Sequence, residues 1–285
     1  MTTAVAPPGY ALRRALARGL LYLTAITVLL VIIIPLSFSV LGGFRTSGQL
    51  AADPVALPDP WVFTNYLDTL ASPAFYSQLK NSLIISLVTT ALVLPAASLA
   101  AFVIARYRFR GREVVYILFT LGLLFPVAVA ILPLFITLRQ TGLLNNPLGV
   151  ALPQAAFGLP LSIVILRPFF RSIPKDLEDA AAIDGCGPLR YYWSVMLPLS
   201  RPVLSTIAVL TVVGSWNAFL LPLHVLTRPD QWTLPIGVNN VSAQYVTDYA
   251  VILAYTTLAM IPALVFYFIA QRQIVSGLTA GGVKG

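Results

Sequence analysis

The sequence predicts an all-α integral membrane protein of six transmembrane helices with both termini in the cytoplasm. Three observations carry this. Hydrophobic residues make up 58% of the 285-residue chain and charged residues only 10%, where a soluble domain carries about 25% charged residues. The apolar residues gather into runs of about 20, the length a helix needs to cross the hydrocarbon core of a bilayer. The basic residues collect on alternate sides of those runs.

The runs, in order, are Leu20–Leu41, Ser82–Ala105, Val114–Leu138, Leu148–Leu166, Val203–Leu223 and Ala250–Ala270. They are continuously apolar and do not alternate apolar with polar, so helices are expected and not barrel strands. The first run follows Arg13, Arg14 and Arg18. It is long for the apolar region of a signal peptide and no A-x-A site follows it, so it reads as an uncleaved first helix. With the N-terminus inside, the basic residues Arg106 to Arg112, Arg167 to Arg201, Arg272 and Lys284 fall on the cytoplasmic side. Of 18 basic residues only Arg45, Lys80, Arg139 and Arg228 fall outside. That asymmetry sets the topology by the positive-inside rule. It also accounts for the net charge of +8 without nucleic acid, for which no basic patch interleaved with aromatics exists. The single cysteine, Cys186, rules out an intrachain disulfide.

Between the runs, Gly42 to Asn81 reads as a long outer loop. It carries Pro54, Pro58, Pro60 and Pro73, with Trp61, Phe63, Tyr66, Phe75 and Tyr76 as an interfacial aromatic belt. Val225 to Tyr249, containing WTLPIGVNN, reads as a re-entrant or capping loop.

No run contains Asp or Glu. An acid at the bilayer centre costs about 2.5–3.5 kcal/mol on insertion scales and is kept there for proton or ion work. Its absence argues against a proton-coupled transporter and an intramembrane carboxylate enzyme. One His and one Cys in the whole chain leave no expected catalytic, cofactor or metal set. The runs do contain prolines, among them Pro35, Pro95, Pro126, Pro133, Pro153, Pro160, Pro222 and Pro262, each of which removes a backbone donor and bends its helix. Trp216 and Asn217 in the fifth run are candidate pathway residues, with interhelical hydrogen bonding the plainer role for Asn217.

The stretch EDAAAIDGCGPLRYYWSVMLPL, Glu178 to Leu199, is a polar insert between the fourth and fifth runs. Pro174 suits a first helical position, and Asp176, Glu178 and Asp179 complement the dipole of a first turn. Gly185 suits the left-handed residue after a helix. Gly187 and Pro188 then break the chain, and a second helix runs from Leu189 to Leu197, ended or bent by Pro198. A short helix, an elbow and another short helix result. Ala180 and Ala181 let a second backbone approach closely, while Tyr191, Tyr192 and Trp193 supply bulk toward the spans or toward a partner.

Asp179-Ala180-Ala181, Gly185 three residues on, Val195 nine residues later and Leu197-Pro198 match the spacing of the EAA loop. The chain thereby resembles the permeases of ATP-binding-cassette (ABC) importers, with Asp for Glu and Val for Ile. SWNAFLLPL (Ser215–Leu223), TLPIGV (Thr233–Val238) and the tail QRQIVSGLTAGGVKG (Gln271–Gly285) resemble the maltose-type subunit of carbohydrate importers. The resemblance implies a type I ABC importer transmembrane domain. It implies that the loop is a coupling helix held in a cleft of a cytoplasmic ATPase subunit, with Asp179, Ala180, Ala181, Gly185, Leu189 and Tyr191 as its contacts. It also implies a second homologous permease chain, two ATPase subunits and an extracytoplasmic solute-binding protein. ATP and Mg would be bound by the ATPase subunits, since this chain has no G-x-x-x-x-G-K-[ST] loop.

The expected division is 1–78 for the N-terminal segment, first helix and outer loop, 79–271 for the transmembrane core with its EAA loop at 172–199, and 272–285 for a cytoplasmic tail. The residues alone leave open a non-sugar substrate, a membrane enzyme or a membrane scaffold.

Overall fold

A computed structural model describes residues 10–245 and 248–282, with side chains for 16–245, 248–269 and 271. Lys284 and the start of the N-terminal segment lie outside the described residues, as do the side chains of Arg13, Arg14 and Arg272. The described chain divides into two compact units, Met1–Thr69 with Gln244–Thr257, and Leu70–Ala243 with Leu258–Gly285.

In the first unit, α1 (Tyr10–Gly42) is a long apolar helix, and α2 (Ser47–Ala52) and α3 (Thr64–Ala71) follow it. The expected outer loop is therefore partly helical. The reason is local: Thr46 and Gln49 form a reciprocal capping box at the start of α2. Buried Arg45 donates to the carbonyls of Gln49, Asp53 and Pro54 at 2.6–3.0 Å, closing the other end. The aromatics of this segment also gather into a cluster, with the Phe44 ring 4.4 Å from Tyr66, 5.4 Å from Phe63 and 5.5 Å from Trp61.

The second unit is built on α4 (Pro73–Arg106). The expected third span is broken into α5 (Arg112–Gly122) and α6 (Val127–Gln140), bent 96° apart. Pro126 explains this, since it has no N–H and its ring disfavours helix at the residue before it. The backbone between the two helices closes with i to i−3 bonds from Leu123, Leu124 and Phe125. Next comes α7 (Pro147–Ser172), longer than its apolar run. Val93, Ala97 and Ala101 of α4 pack with Ile163, Leu166 and Phe170 of α7 in the main core, almost without exposure.

A two-helix elbow comes next, formed by α8 (Asp176–Ile183), α9 (Pro188–Tyr191), a π turn (Tyr192–Met196) and α10 (Leu197–Leu199). The expected fifth span is also interrupted. Helix α11 (Arg201–Trp216) stops where Asn217 donates both its backbone N–H and its Nδ2 to the Val213 carbonyl. A side chain that competes for a helix carbonyl in this way favours an end. The chain resumes as α12 (Leu220–Val225). The expected capping loop contains α13 (Leu234–Gln244), tied to α4 by Asn81 Nδ2 on the Asp230 and Trp232 carbonyls and by Leu234 N–H on Ser82 Oγ. The last helix, α14 (Tyr249–Gly282), extends into the tail as far as Gly282.

Among the described residues, four helices are long and apolar enough to cross a membrane, or up to six if each of two bent pairs counts as one span, α5 with α6 and Pro188–Leu199 with α11, the latter bent by 78°.

Candidate functional site

The elbow is assembled from its capping chemistry. Asp176, and not Pro174, takes the first helical position of α8, with Lys175 as N-cap: the Lys175 carbonyl accepts from Glu178 N–H at 2.8 Å and Asp179 N–H at 3.0 Å. Pro174 stands one residue outside, a correction to the sequence expectation. At the other end Gly185 has φ of +72°, a conformation costly for any residue with a Cβ. Cys186 N–H bonds to the Ala181 carbonyl at 2.8 Å and Gly185 N–H to the Ala182 carbonyl at 3.0 Å, the paired bonds of a Schellman stop. Pro188 then opens α9. Pro198 cannot donate to the carbonyl four residues back, and just ahead of it the helix widens into the π turn, with Leu197 N–H reaching the Tyr192 carbonyl.

This geometry divides the side chains between two directions. Tyr191, Tyr192 and Met196 are buried among Phe102, Phe170 and Ile207 in the main core. The Tyr192 hydroxyl shares a hydrogen bond with Ser98 at 2.6 Å. On the other side Ile183 is 86% exposed, Leu189 68% and Trp193 61%. Of the residues expected to meet a partner, Asp179, Ala180, Gly185 and Leu189 are exposed and Ala181 is half-buried against the core. Tyr191, expected as flanking packing for that partner, is only 2% exposed. This corrects its assignment, because its ring is needed to anchor the elbow to Phe102. Ile183 and Trp193 take the outward places. Their signal was present, a large apolar residue closing an alanine-rich helix and an aromatic two residues past a buried one, but which aromatic turns inward depends on the π turn.

Arg106 fastens the elbow to the bundle. At the end of α4, its Nε donates to Glu178 Oε2 at 2.8 Å and its Nη1 to the Ile173 and Phe170 carbonyls at 2.8 and 3.3 Å. Sequence reasoning counted Arg106 only toward topology. Beside it, burial raises the Tyr107 hydroxyl above its ordinary pKa, and the Glu178 charge pushes the same way. A second charged cluster joins α5 to α7. Buried Arg167 donates to both Glu113 oxygens at 2.5 and 2.6 Å and lies over the Tyr116 ring at 3.7 Å.

Within the same unit, a cavity of about 460 Å³ lies among α4, α7, α11 and α12. Gln154, Ser215 and Thr89 are polar groups on its wall, and Phe157 and Phe219 line it too. Trp216 and Asn217, expected as pathway residues, do not line it. The Trp216 ring is buried, and the Asn217 amide is spent on its own helix end. Gln154 is not legible in the sequence, because a single amide does not interrupt an apolar run.

Residues 93–279 match the family of binding-protein-dependent transport system inner membrane components. The chain belongs to that family. It is thus a multi-pass membrane protein and a transport subunit, not an enzyme. The permease is 35% identical over 269 residues to the diacetylchitobiose uptake system permease protein of Streptomyces coelicolor, covering 94% of this chain and 88% of that one. It is 37% identical over 231 residues to the trehalose transport system permease protein of Mycobacterium tuberculosis, covering 80% and 84%. Its fold matches a chain of a bacterial ABC transporter involved in the import of the acidic polysaccharide alginate. The TM-score is 0.78 at 21% identity, over 95% of the permease and 99% of that chain.

Proposed function

We propose that this permease forms half of the translocation pathway of an ABC importer for a carbohydrate, delivered by an extracytoplasmic binding protein. A second homologous permease supplies the other half, and two cytoplasmic ATPase subunits bind ATP and Mg. The chain crosses the membrane six times with both termini inside, residues 79–271 forming the core. The elbow at 172–199 is the docking element, and its contact face is Asp179, Ala180, Ala181, Gly185 and Leu189 with Ile183 at its tip.

The observation that carries the docking reading is the division of the elbow into an inward anchor of Tyr191, Tyr192 and Met196 and an outward apolar face. An elbow pinned to the bundle on one side and free on the other can pass the motion of a partner to the helices. Such a partner shifts the permease between inward- and outward-facing states only by binding them with different affinity. The sugar reading is supported by the saccharide transporters among its relatives.

The test is Gly185→Trp in the complete importer. A Cβ at Gly185 meets nothing within 4 Å inside this chain, but its φ of +72° strains any side chain, so Gly185→Ala is the control for that strain and only the further loss in Gly185→Trp reports bulk meeting the partner. Loss of sugar-driven ATP hydrolysis and uptake, with the permease still in the membrane, is the expected result. Full coupling in that variant would refute the docking role.

A further inference from the structure

Helix α5 carries an apolar strip that nothing else in this chain covers. Val114, Ile117, Leu118 and Leu121 are all exposed, and their i, i+3, i+4, i+7 spacing puts them on one face of the helix. Its 11 residues rise about 16 Å, roughly one leaflet of a hydrocarbon core about 30 Å thick.

At the N-terminal end of the strip the surface turns basic. Arg112, Arg167 and Arg171 all donate to the one carboxylate of Glu113 at 2.5–3.2 Å. Three guanidiniums on one acid leave this corner positive, and Arg108 and Arg110 add to it. Both are exposed, and among the described residues neither has an ion pair or a hydrogen bond. Phe109, between them, is exposed as well. A pocket of about 480 Å³ lies where the two surfaces meet, lined by Arg108, Phe109, Arg112, Glu113 and Val114.

The two surfaces together restrict the occupant. Unpaired guanidiniums attract an anion. A free phosphate or an acidic protein loop would satisfy the arginines but leave the apolar strip bare. A neutral acyl chain would do the reverse. An anionic phospholipid meets both demands, with its headgroup at Arg108 and Arg110 and its acyl chains along α5. A zwitterionic lipid also brings a phosphate, but its own ammonium group offsets the charge that the arginines attract.

We infer that Arg108, Arg110 and the exposed face of α5 form a binding site for an anionic phospholipid of the cytoplasmic leaflet. The assignment goes beyond the transport role and rests on the topology with both termini inside.

The experiment uses the whole importer in phosphatidylcholine liposomes that contain a photoactivatable lipid. The probe carries a diazirine on its acyl chain and either a phosphatidylglycerol or a phosphatidylcholine headgroup, and cross-linked peptides are mapped. At equal amounts, the phosphatidylglycerol probe should label residues 114–121 at least about fivefold more than the phosphatidylcholine probe. In Arg108→Gln/Arg110→Gln its labelling there should fall about fivefold for each arginine, the worth of one basic residue near an anionic surface. The phosphatidylcholine probe should label that variant as before, and Arg108→Lys/Arg110→Lys should keep the preference.

Equal labelling of α5 by the two probes, or phosphatidylglycerol labelling unchanged in the glutamine variant, would overturn the site. So would loss of the ATPase subunits from the glutamine variant with its lipid labelling intact, which would set the two arginines against an acidic face of that partner. The topology is checked separately. Reaction of Arg110→Cys with a membrane-impermeant maleimide added outside intact cells would sink it and the cytoplasmic leaflet with it, whatever the headgroup preference.

Discussion

Arg106 and Glu178, 72 positions apart in sequence, form an ion pair at 2.8 Å that joins the last turn of α4 to the first turn of α8. The guanidinium is 3% exposed and the carboxylate 28%. Because the same guanidinium also serves two carbonyls at the end of α7, Arg106→Met removes every one of these bonds. It should destabilise the permease by about 3–5 kcal/mol, the range for breaking a buried pair. Glu178→Gln retains the carbonyl bonds and should cost about 1–3 kcal/mol. Thermal unfolding of the solubilised permease measures both. The double variant should lose less than the sum, because the two residues share one interaction.

Ile183→Lys separates docking from folding. The side chain is 86% exposed, so the change in stability should stay within about 0.5 kcal/mol. If the elbow meets an ATPase, a charge at its apolar tip should weaken the association at least tenfold, as loss of a central apolar contact does. Pull-down of the ATPase by the variant, beside an unchanged melting temperature, checks this.

Gly149→Ala should be severe although it adds one methyl. The new Cβ would overlap the Leu143 carbonyl oxygen, which is backbone and cannot turn aside. The chain entering α7 would have to shift, at about 1–3 kcal/mol or more for overpacking. Reduced yield and a lowered unfolding midpoint are expected, and a variant as stable as the wild type would contradict this packing.

Tyr192 permits a graded test of the elbow's anchor. Tyr192→Phe removes the hydrogen bond to Ser98 but leaves the ring among Phe102 and its neighbours. Ser98 keeps its bond to the Pro95 carbonyl, so about 0.5–1.5 kcal/mol should be lost. Tyr192→Ala also removes the buried ring and should cost about 3–5 kcal/mol, the range for a large aromatic truncated in a core. Both values come from unfolding in detergent.

The elbow was the most legible part of the molecule, because its form depends on local chemistry. Gly185 needs a left-handed backbone, Pro188 starts a helix, and three acids favour a first turn. The apolar runs were legible for the same reason, as a matter of composition. What escaped depends on contacts distant in sequence. Pro126 was visible as a bend, but a right-angled break needs the neighbouring helices to hold it. Asn217 was visible as a polar residue, but whether its amide faces a cavity or its own helix end is decided by rotamer. Tyr191 and Trp193 have similar bulk and lie two residues apart, and only the packing of Phe102 selects the one that turns inward. Gln154 takes its meaning from Thr89 and Ser215, which lie 65 and 61 residues away.

The π turn at Tyr192–Met196 makes this short segment intolerant of insertion or deletion. Trimming one residue would restore regular α geometry, yet it would rotate everything upstream about the axis by roughly 100°, one residue's share of a 3.6-residue turn. Tyr191 would swing away from Phe102, and the outward apolar face would swing with it. Homologous chains that keep this architecture should therefore vary in residue type here while holding the number of residues between Gly185 and Pro198 constant.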